Sequence, residues 1–138
     1  NNIGFIFQFH HLMPEFTALE NICIPAYLKN KNKKETEQKA LELMNFLKIT
    51  SQKNSFPEYM SGGEKQRVAI ARALINNPDM ILADEPSGNL DTVQSKEIYN
   101  LFDNLRKEFN QTFVIVTHDK ELANMSDKKI ILKDGKII

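Results

Sequence analysis

Two carboxylates side by side, Asp84 and Glu85, follow the apolar run Met80 to Ala83, and a hydroxyl with two glycines, Ser61-Gly62-Gly63, opens an apolar-periodic stretch through Ile75. Both patterns suit phosphate chemistry. A helix that starts at Ser61 leaves its first N–H groups unpaired and turns the positive end of its dipole toward them, and glycine lets a phosphate approach that backbone closely. Ser61 and Glu64 also fit the S-x-x-E capping box, so the same residues could serve only to start the helix. Met80 to Ala83 has no helical period and is bounded by Pro78 and Asp84-Glu85-Pro86, which predicts a buried parallel strand. Ligands of open α/β sheets collect at the carboxyl ends of strands. An Asp there can hold Mg²⁺ through water while an adjacent Glu polarises the attacking water. The competing reading is an acidic turn after a strand.

The elements that must position these groups alternate between strands and helices. Ile3 to Phe7 reads as a strand ending at Gln8, and Phe113 to Thr117 as a strand ending at His118. Leu19 to Leu28 is mixed, with Pro25 expected to interrupt any long helix. Glu35 to Leu47 predicts a helix whose apolar face is Ala40, Leu43, Met44 and Leu47. The Ser61 helix is ended by Asn76-Asn77-Pro78. Asp91 or Thr92 can cap a further helix, on which Ile98, Leu101, Phe102, Leu105 and Phe109 make an apolar stripe packed on Phe113 to Thr117. The last residues predict a hairpin, Lys129 to Lys133 and Lys136 to Ile138, around an Asp134-Gly135 turn.

Composition narrows the function classes. The chain has 138 residues, 41% of them hydrophobic, enough for one core. Lys+Arg and Asp+Glu balance at 18 each, so no overall basic field argues for nucleic acid as a partner. Cys23 is the sole cysteine and is assigned to packing. His10 and His11 are adjacent, without ligand spacing, and no metal site is expected there. No apolar run approaches the ~20 residues that span a bilayer. The charge run Lys29 to Lys39 reads as a solvated turn leading into a helix.

Taken together, Gln8, Ser61-Gly62-Gly63-Glu64, the apolar strand into Asp84-Glu85, Ser87-Gly88-Asn89-Leu90-Asp91 and His118 stand in the order of an ABC-type ATPase domain, which the chain resembles over essentially its whole length. The resemblance implies an α/β fold, a partial P-loop NTPase (ABC ATPase) core of parallel strands plus an inserted helical subdomain. Residues 1–138 would be the C-terminal part of one such domain. About 16–59 would form the helical subdomain that faces a membrane partner, and 61–138 the signature helix, Walker B strand, D-loop and switch-histidine core.

By position, Gln8 resembles the Q-loop glutamine that contacts the metal and attacking water. Ser61, Gly62, Gly63 and Glu64 resemble the signature that closes over the γ-phosphate of ATP held by the opposite subunit. Asp84 resembles the Walker B aspartate, holding Mg²⁺ through water together with Gln8, and Glu85 the catalytic base. Asp91, with Ser87 before it, resembles the D-loop that communicates across the dimer, and His118 the switch histidine. Met60 stands where Leu is usual and Glu64 where Gln is usual.

A P-loop, G-x-x-x-x-G-K-[ST], is not found in the sequence, since Gly135-Lys136 is followed by Ile137 and preceded by no glycine at the required spacing. The chain is therefore read as a fragment that alone has little or no ATP affinity or ATPase activity. The stretch Phe7 to Asn21 resembles the corresponding segment in ATP-binding subunits of bacterial lipoprotein-releasing systems, with macrolide-type exporters and the cell-division ABC complex as alternatives. What this implies is an ATPase that works as a homodimer with a second ATPase subunit, on an integral membrane permease, at the cytoplasmic side of the bacterial inner membrane. An isolated docking module for a membrane partner is the non-enzyme alternative. Long coiled coils, which mark the repair and chromosome-structuring ATPases, have no sustained heptads to form them here.

Overall fold

A computed structural model describes residues 2–138. Three parallel strands, β1 (Ile3–Ile6), β2 (Met80–Asp84) and β3 (Thr112–Val116), form a sheet in the order β1-β2-β3. Ile3 pairs with Met80, and Met80 with Thr112, so Gly4, Ile81 and Phe113 share one face with Ile6, Ala83 and Ile115. That face is covered by helix α3 (Gly62–Leu74), which packs on β1, and α4 (Thr92–Phe109), which packs on β3. The tilted Phe102 and Phe113 rings meet at 5.0 Å across the second contact. Because side chains alternate along a strand, the opposite face carries Ile3, Phe5, Val114 and Val116, all exposed.

The residues of the predicted α4 stripe are buried at Ile98, Leu101, Phe102 and Leu105, while Phe109, at the last turn, is half exposed and stands edge-on to Phe46. Gly4 sets how closely α3 approaches the sheet. A Cβ there would stand 2.7 Å from the carbonyl oxygen of Ala73, so only a residue without a side chain fits between strand and helix.

Helices α1 (Ala18–Tyr27) and α2 (Lys33–Phe46) lie on α3 and complete the core. Ala40, Leu43, Met44 and Leu47 of the second are all buried, as their spacing predicts. The expectation for Leu19 to Leu28 needs correction, because Pro25 sits inside α1 and does not break it. An interior proline costs a helix about 3 kcal/mol. Here the helix is held at both ends. Thr17 and Glu20 form a capping box at its start, and the Asn76 amide donates to the Pro25 carbonyl at 3.0 Å near its end. Burial of Ile22, Cys23 and Ala26 outweighs the remainder.

Two smaller differences concern boundaries. β1 stops at Ile6, because Phe7, Gln8 and Phe9 enter a turn in which Phe7 accepts from the His10 amide. The terminal hairpin is shorter than its sequence suggests, β4 (Leu132–Lys133) with β5 (Lys136–Ile137). Asp134 and Gly135, with φ of 50° and 73°, make its turn. Short α5 (Lys120–Asn124) comes after β3.

Candidate functional site at the carboxyl end of the sheet

All three parallel strands point their carboxyl ends the same way, so the residues after Ile6, Asp84 and Val116 emerge side by side. Asp84 ends β2 and is exposed. Glu85 adopts φ of 44°, a left-handed conformation that is costly for a residue with a side chain and that collects at functional sites. Its own amide still donates to the Val116 carbonyl at 2.9 Å, which docks the turn onto β3. The carboxylate is gripped by Thr117 and His118, the two residues just past β3. Oε1 accepts from the His118 amide at 3.0 Å and lies 2.7 Å from His118 Nδ1, and Oε2 accepts from the Thr117 hydroxyl at 3.2 Å. The hydrogen bond to Glu85, and then its charge, raise the His118 imidazole above the ordinary histidine value.

Gln8 meets this turn from the other side. Asn89 Nδ2 donates to the Gln8 carbonyl at 2.9 Å, and a Cβ on Gly88 would lie 2.5 Å from Gln8 Nε2. Gly88 therefore leaves the space in which the Gln8 amide lies. Asp91 caps α4 through Oδ1, which accepts from the Gln94 amide at 2.8 Å.

Ser61 stands apart from this cluster, at the N-terminus of α3. Its hydroxyl accepts from the Glu64 amide at 3.2 Å while Glu64 Oε2 accepts from the Ser61 amide at 2.8 Å, so the capping box is formed. Gln52 donates to the other Glu64 oxygen at 3.1 Å. Between cap and box lie Gly62 and Gly63, partly exposed, whose amides make no hydrogen bond among the described residues. Capping and anion binding are thus compatible, since the box occupies the Ser61 and Glu64 amides and leaves the two glycine amides free.

Residues not singled out from the sequence tie these pieces together. Gln66 is fully buried; its oxygen accepts from His10 Nδ1 and its amide donates to the Pro86 carbonyl at 2.7 Å. Burial, the largest influence, pushes the His10 imidazole below its usual value. Arg72 donates to the carbonyls of His10 and His11 at 2.6 and 2.7 Å, holding two residues whose φ values are 56° and 48°. The signal for Gln66 was present, a polar residue on the same stripe as Ile70 and Ala73. Cys23, assigned to packing, is buried.

Parallel strands in this order with Gln8, Glu85 and His118 gathered past their carboxyl ends, and a glycine-bearing helix start, are the features of an ATP-binding cassette. The chain belongs to the ABC transporter family, whose family model matches residues 1–88. It is 55% identical over 137 residues to the lipoprotein-releasing system ATP-binding protein LolD of Cytophaga hutchinsonii, covering 99% of this chain and 63% of that protein. It is 54% identical to the LolD of Bacteroides thetaiotaomicron, covering 99% of this chain and 62% of the relative. Among solved structures, the dimeric structure of MJ0796, a bacterial ABC transporter cassette, matches with a TM-score of 0.85 at 42% identity, over 99% of this chain and 61% of the other. The dimeric post-hydrolysis state of the MJ0796 cassette, bound to ADP and Pi, matches with a TM-score of 0.85 at 41% identity. The α/β fold is that of ABC cassettes, and the chain spans less than two thirds of the length of these relatives.

Proposed function

We propose that the full-length protein hydrolyses ATP as a homodimer and drives an integral membrane permease that releases lipoproteins. The observation that carries this reading is the Glu85 carboxylate, fixed at the carboxyl end of the sheet by Thr117 and His118 and faced by the turn that holds Gln8. Glu85 orients the attacking water and accepts its proton. His118 and Gln8 contact the γ-phosphate side of the same site. Ser61, Gly62 and Gly63 close over the nucleotide of the partner subunit through the two free glycine amides, with Glu64 holding the helix start in shape. Asp91 and Ser87 lie on the turn that communicates across the dimer. The subunit sits on the cytoplasmic face of the inner membrane, with residues of about 16–59 toward the permease and 61–138 carrying the chemistry. Among the described residues no helix is long and apolar enough to cross a membrane, which suits a peripheral subunit.

Mg²⁺ fits the donors at hand. Asp84 is exposed at the end of β2 and Gln8 is partly exposed just past β1, so a carboxylate and a side-chain amide, whose oxygen is a hard ligand, stand at the same end of the sheet. Among the described residues no three His, Cys, Asp or Glu side chains converge, so water and phosphate oxygens would complete the coordination. Bound there, the ion neutralises charge on the phosphate oxygens.

The test is Glu85→Gln in the gene's full-length product. Turnover is abolished and an ATP-bound dimer accumulates, read by a phosphate-release assay and size-exclusion chromatography. Normal turnover by that variant sinks the assignment. The lipoprotein branch rests on the relatives and is tested separately, by whether depletion of the protein leaves outer-membrane lipoproteins in the inner membrane.

A further inference from the structure

Glu85 is held from its backbone side by the turn after it and from its carboxylate side by Thr117 and His118, and one buried hydroxyl joins the two. Tyr99, on α4 and 2% exposed, places its phenol oxygen 2.7 Å from Ser87 Oγ and 2.6 Å from Asp119 Oδ2. A phenol has a single proton. Because a carboxylate can only accept, Tyr99 donates to Asp119 and the Ser87 hydroxyl donates to Tyr99. The other Asp119 oxygen accepts from the amides of Glu121 and Leu122 at 2.7 and 3.2 Å, so both carboxylate oxygens are engaged. The Asp119 amide then donates to Thr117 Oγ1 at 3.0 Å, and that hydroxyl donates to Glu85. The result is a closed ring, Glu85, Pro86, Ser87, Tyr99, Asp119, Thr117 and back to Glu85. It borders a cleft of about 240 Å³ into which Glu85 and His118 face.

We propose that Tyr99 is a positioning residue, whose hydroxyl sets the separation between the Ser87 turn and the His118 segment and so aims the Glu85 carboxylate. The inference rests on the catalytic reading of Glu85 given above. Without the hydroxyl, the Ser87 turn and Asp119 lose their shared partner, and the Thr117 bond to Glu85 is no longer braced from behind. The ring is buried at Tyr99 and Ser87 and part-buried at Glu85, Thr117 and Asp119, and a network with a buried centre fixes one arrangement only while its buried members are satisfied. The surroundings also explain the Tyr99 phenol itself, whose pKa is raised by burial first and then by Asp119.

The experiment compares wild-type, Tyr99→Phe, Ser87→Ala, the double variant and Glu85→Gln in the gene's full-length product. Tyr99→Phe keeps the ring and its packing. The expected result is a fall in kcat of about ten- to a hundredfold, the scale on which misplacing a reacting group is felt. KM for ATP stays within about twofold, the melting temperature holds within a few degrees, and Tyr99→Phe combined with Glu85→Gln still forms the ATP-bound dimer. Ser87→Ala alone loses less, and the double variant is no slower than Tyr99→Phe, because both act through one ring. A Tyr99→Phe kcat within twofold of wild-type, with Glu85→Gln inactive, overturns the role of Tyr99 and leaves the catalytic reading standing. So does an unfolding of Tyr99→Phe accompanied by unchanged kcat in Ser87→Ala. Normal turnover by Glu85→Gln instead removes the reading on which both depend.

Discussion

Helices α1 and α3 begin with the same device and differ in what it leaves over. In α1, Thr17 Oγ1 accepts from the Glu20 amide at 3.3 Å and Glu20 Oε2 from the Thr17 amide at 2.8 Å; in α3, Ser61 and Glu64 make the same pair at 3.2 and 2.8 Å. The residues between are the difference. Ala18 and Leu19 donate to the carbonyls of Ser55 and Lys53 at 2.9 and 3.1 Å, so every amide of that first turn is spent within the fold. Gly62 and Gly63 have no such partners among the described residues, and no side chain of their own shields them. A capping box is therefore neither evidence for a phosphate site nor evidence against one. The next two amides decide it.

Exchanging those residues tests the contrast most directly. In the full-length protein, Gly62→Ala with Gly63→Leu gives α3 the side chains of the α1 first turn while leaving its two amides without acceptors. Hydrolysis is expected to fall about a hundredfold, because the added side chains keep a phosphate oxygen out of reach of two amide donors that are still present. Stability should hold or rise by roughly 0.5–1 kcal/mol, because glycine is a poor helix former. Retained activity in a phosphate-release assay would end the distinction between the two helix starts.

Removing the caps has a smaller effect. Thr17→Ala and Ser61→Ala should each cost roughly 1 kcal/mol in a thermal or urea melt. Only Ser61→Ala should also weaken the ATP-dependent dimer, by about tenfold, as expected for a hydrogen bond to a charged group. Equal loss of dimer from both would place the two helices in one class.

Smaller still is the exchange of Glu20 or Glu64 for Gln, which keeps an acceptor and removes a charge. Stability changes by a few tenths of a kcal/mol in either case. Glu64→Gln should tighten ATP-dependent association by about 0.3–1 kcal/mol, the worth of one charge at a helix start, and Glu20→Gln should leave it alone. Weaker association in Glu64→Gln would mean that the carboxylate helps rather than repels.

The smallest effect is a titration at the other half of the site. The His118 pKa is raised above 6.5 by Glu85. A raised histidine contributes its stabilisation in full below the unfolded value and loses it as pH rises through the folded value, so the pair weakens only above pH 6.5. Nitrogen-15 NMR should find the His118 pKa above the ordinary histidine value, and Glu85→Gln should bring it back. An unchanged value in the variant would show that another group holds the imidazole.

The three strands and the site's outline were legible because each strand leads to a chemically distinct residue, Gln8, Asp84 or His118, after an unbroken apolar run. Helix α1 was not, since Pro25 is a strong local signal and the Thr17-to-Glu20 box that answers it is a weak one. The positive φ at Glu85 could not be read either, as nothing in Asp-Glu-Pro distinguishes a left-handed turn from an ordinary one. The pairings of Gln66 and Tyr99 were hidden for a third reason. Their partners lie 56 and 20 residues away, and pairings at such separations leave no periodic trace.

The missing side chain at Gly4 bears on how movement passes through the molecule. A Cβ at Gly4 would stand 2.7 Å from the Ala73 carbonyl oxygen, so at this point strand β1 meets helix α3 with no strand side chain between them. The strand leads on to Gln8, and Ala73 lies in the last turn of the helix that starts at Ser61, so the two elements are fitted to each other like a tooth in a notch. A group as small as a methyl at Gly4 would have to part strand from helix and introduce backlash between them.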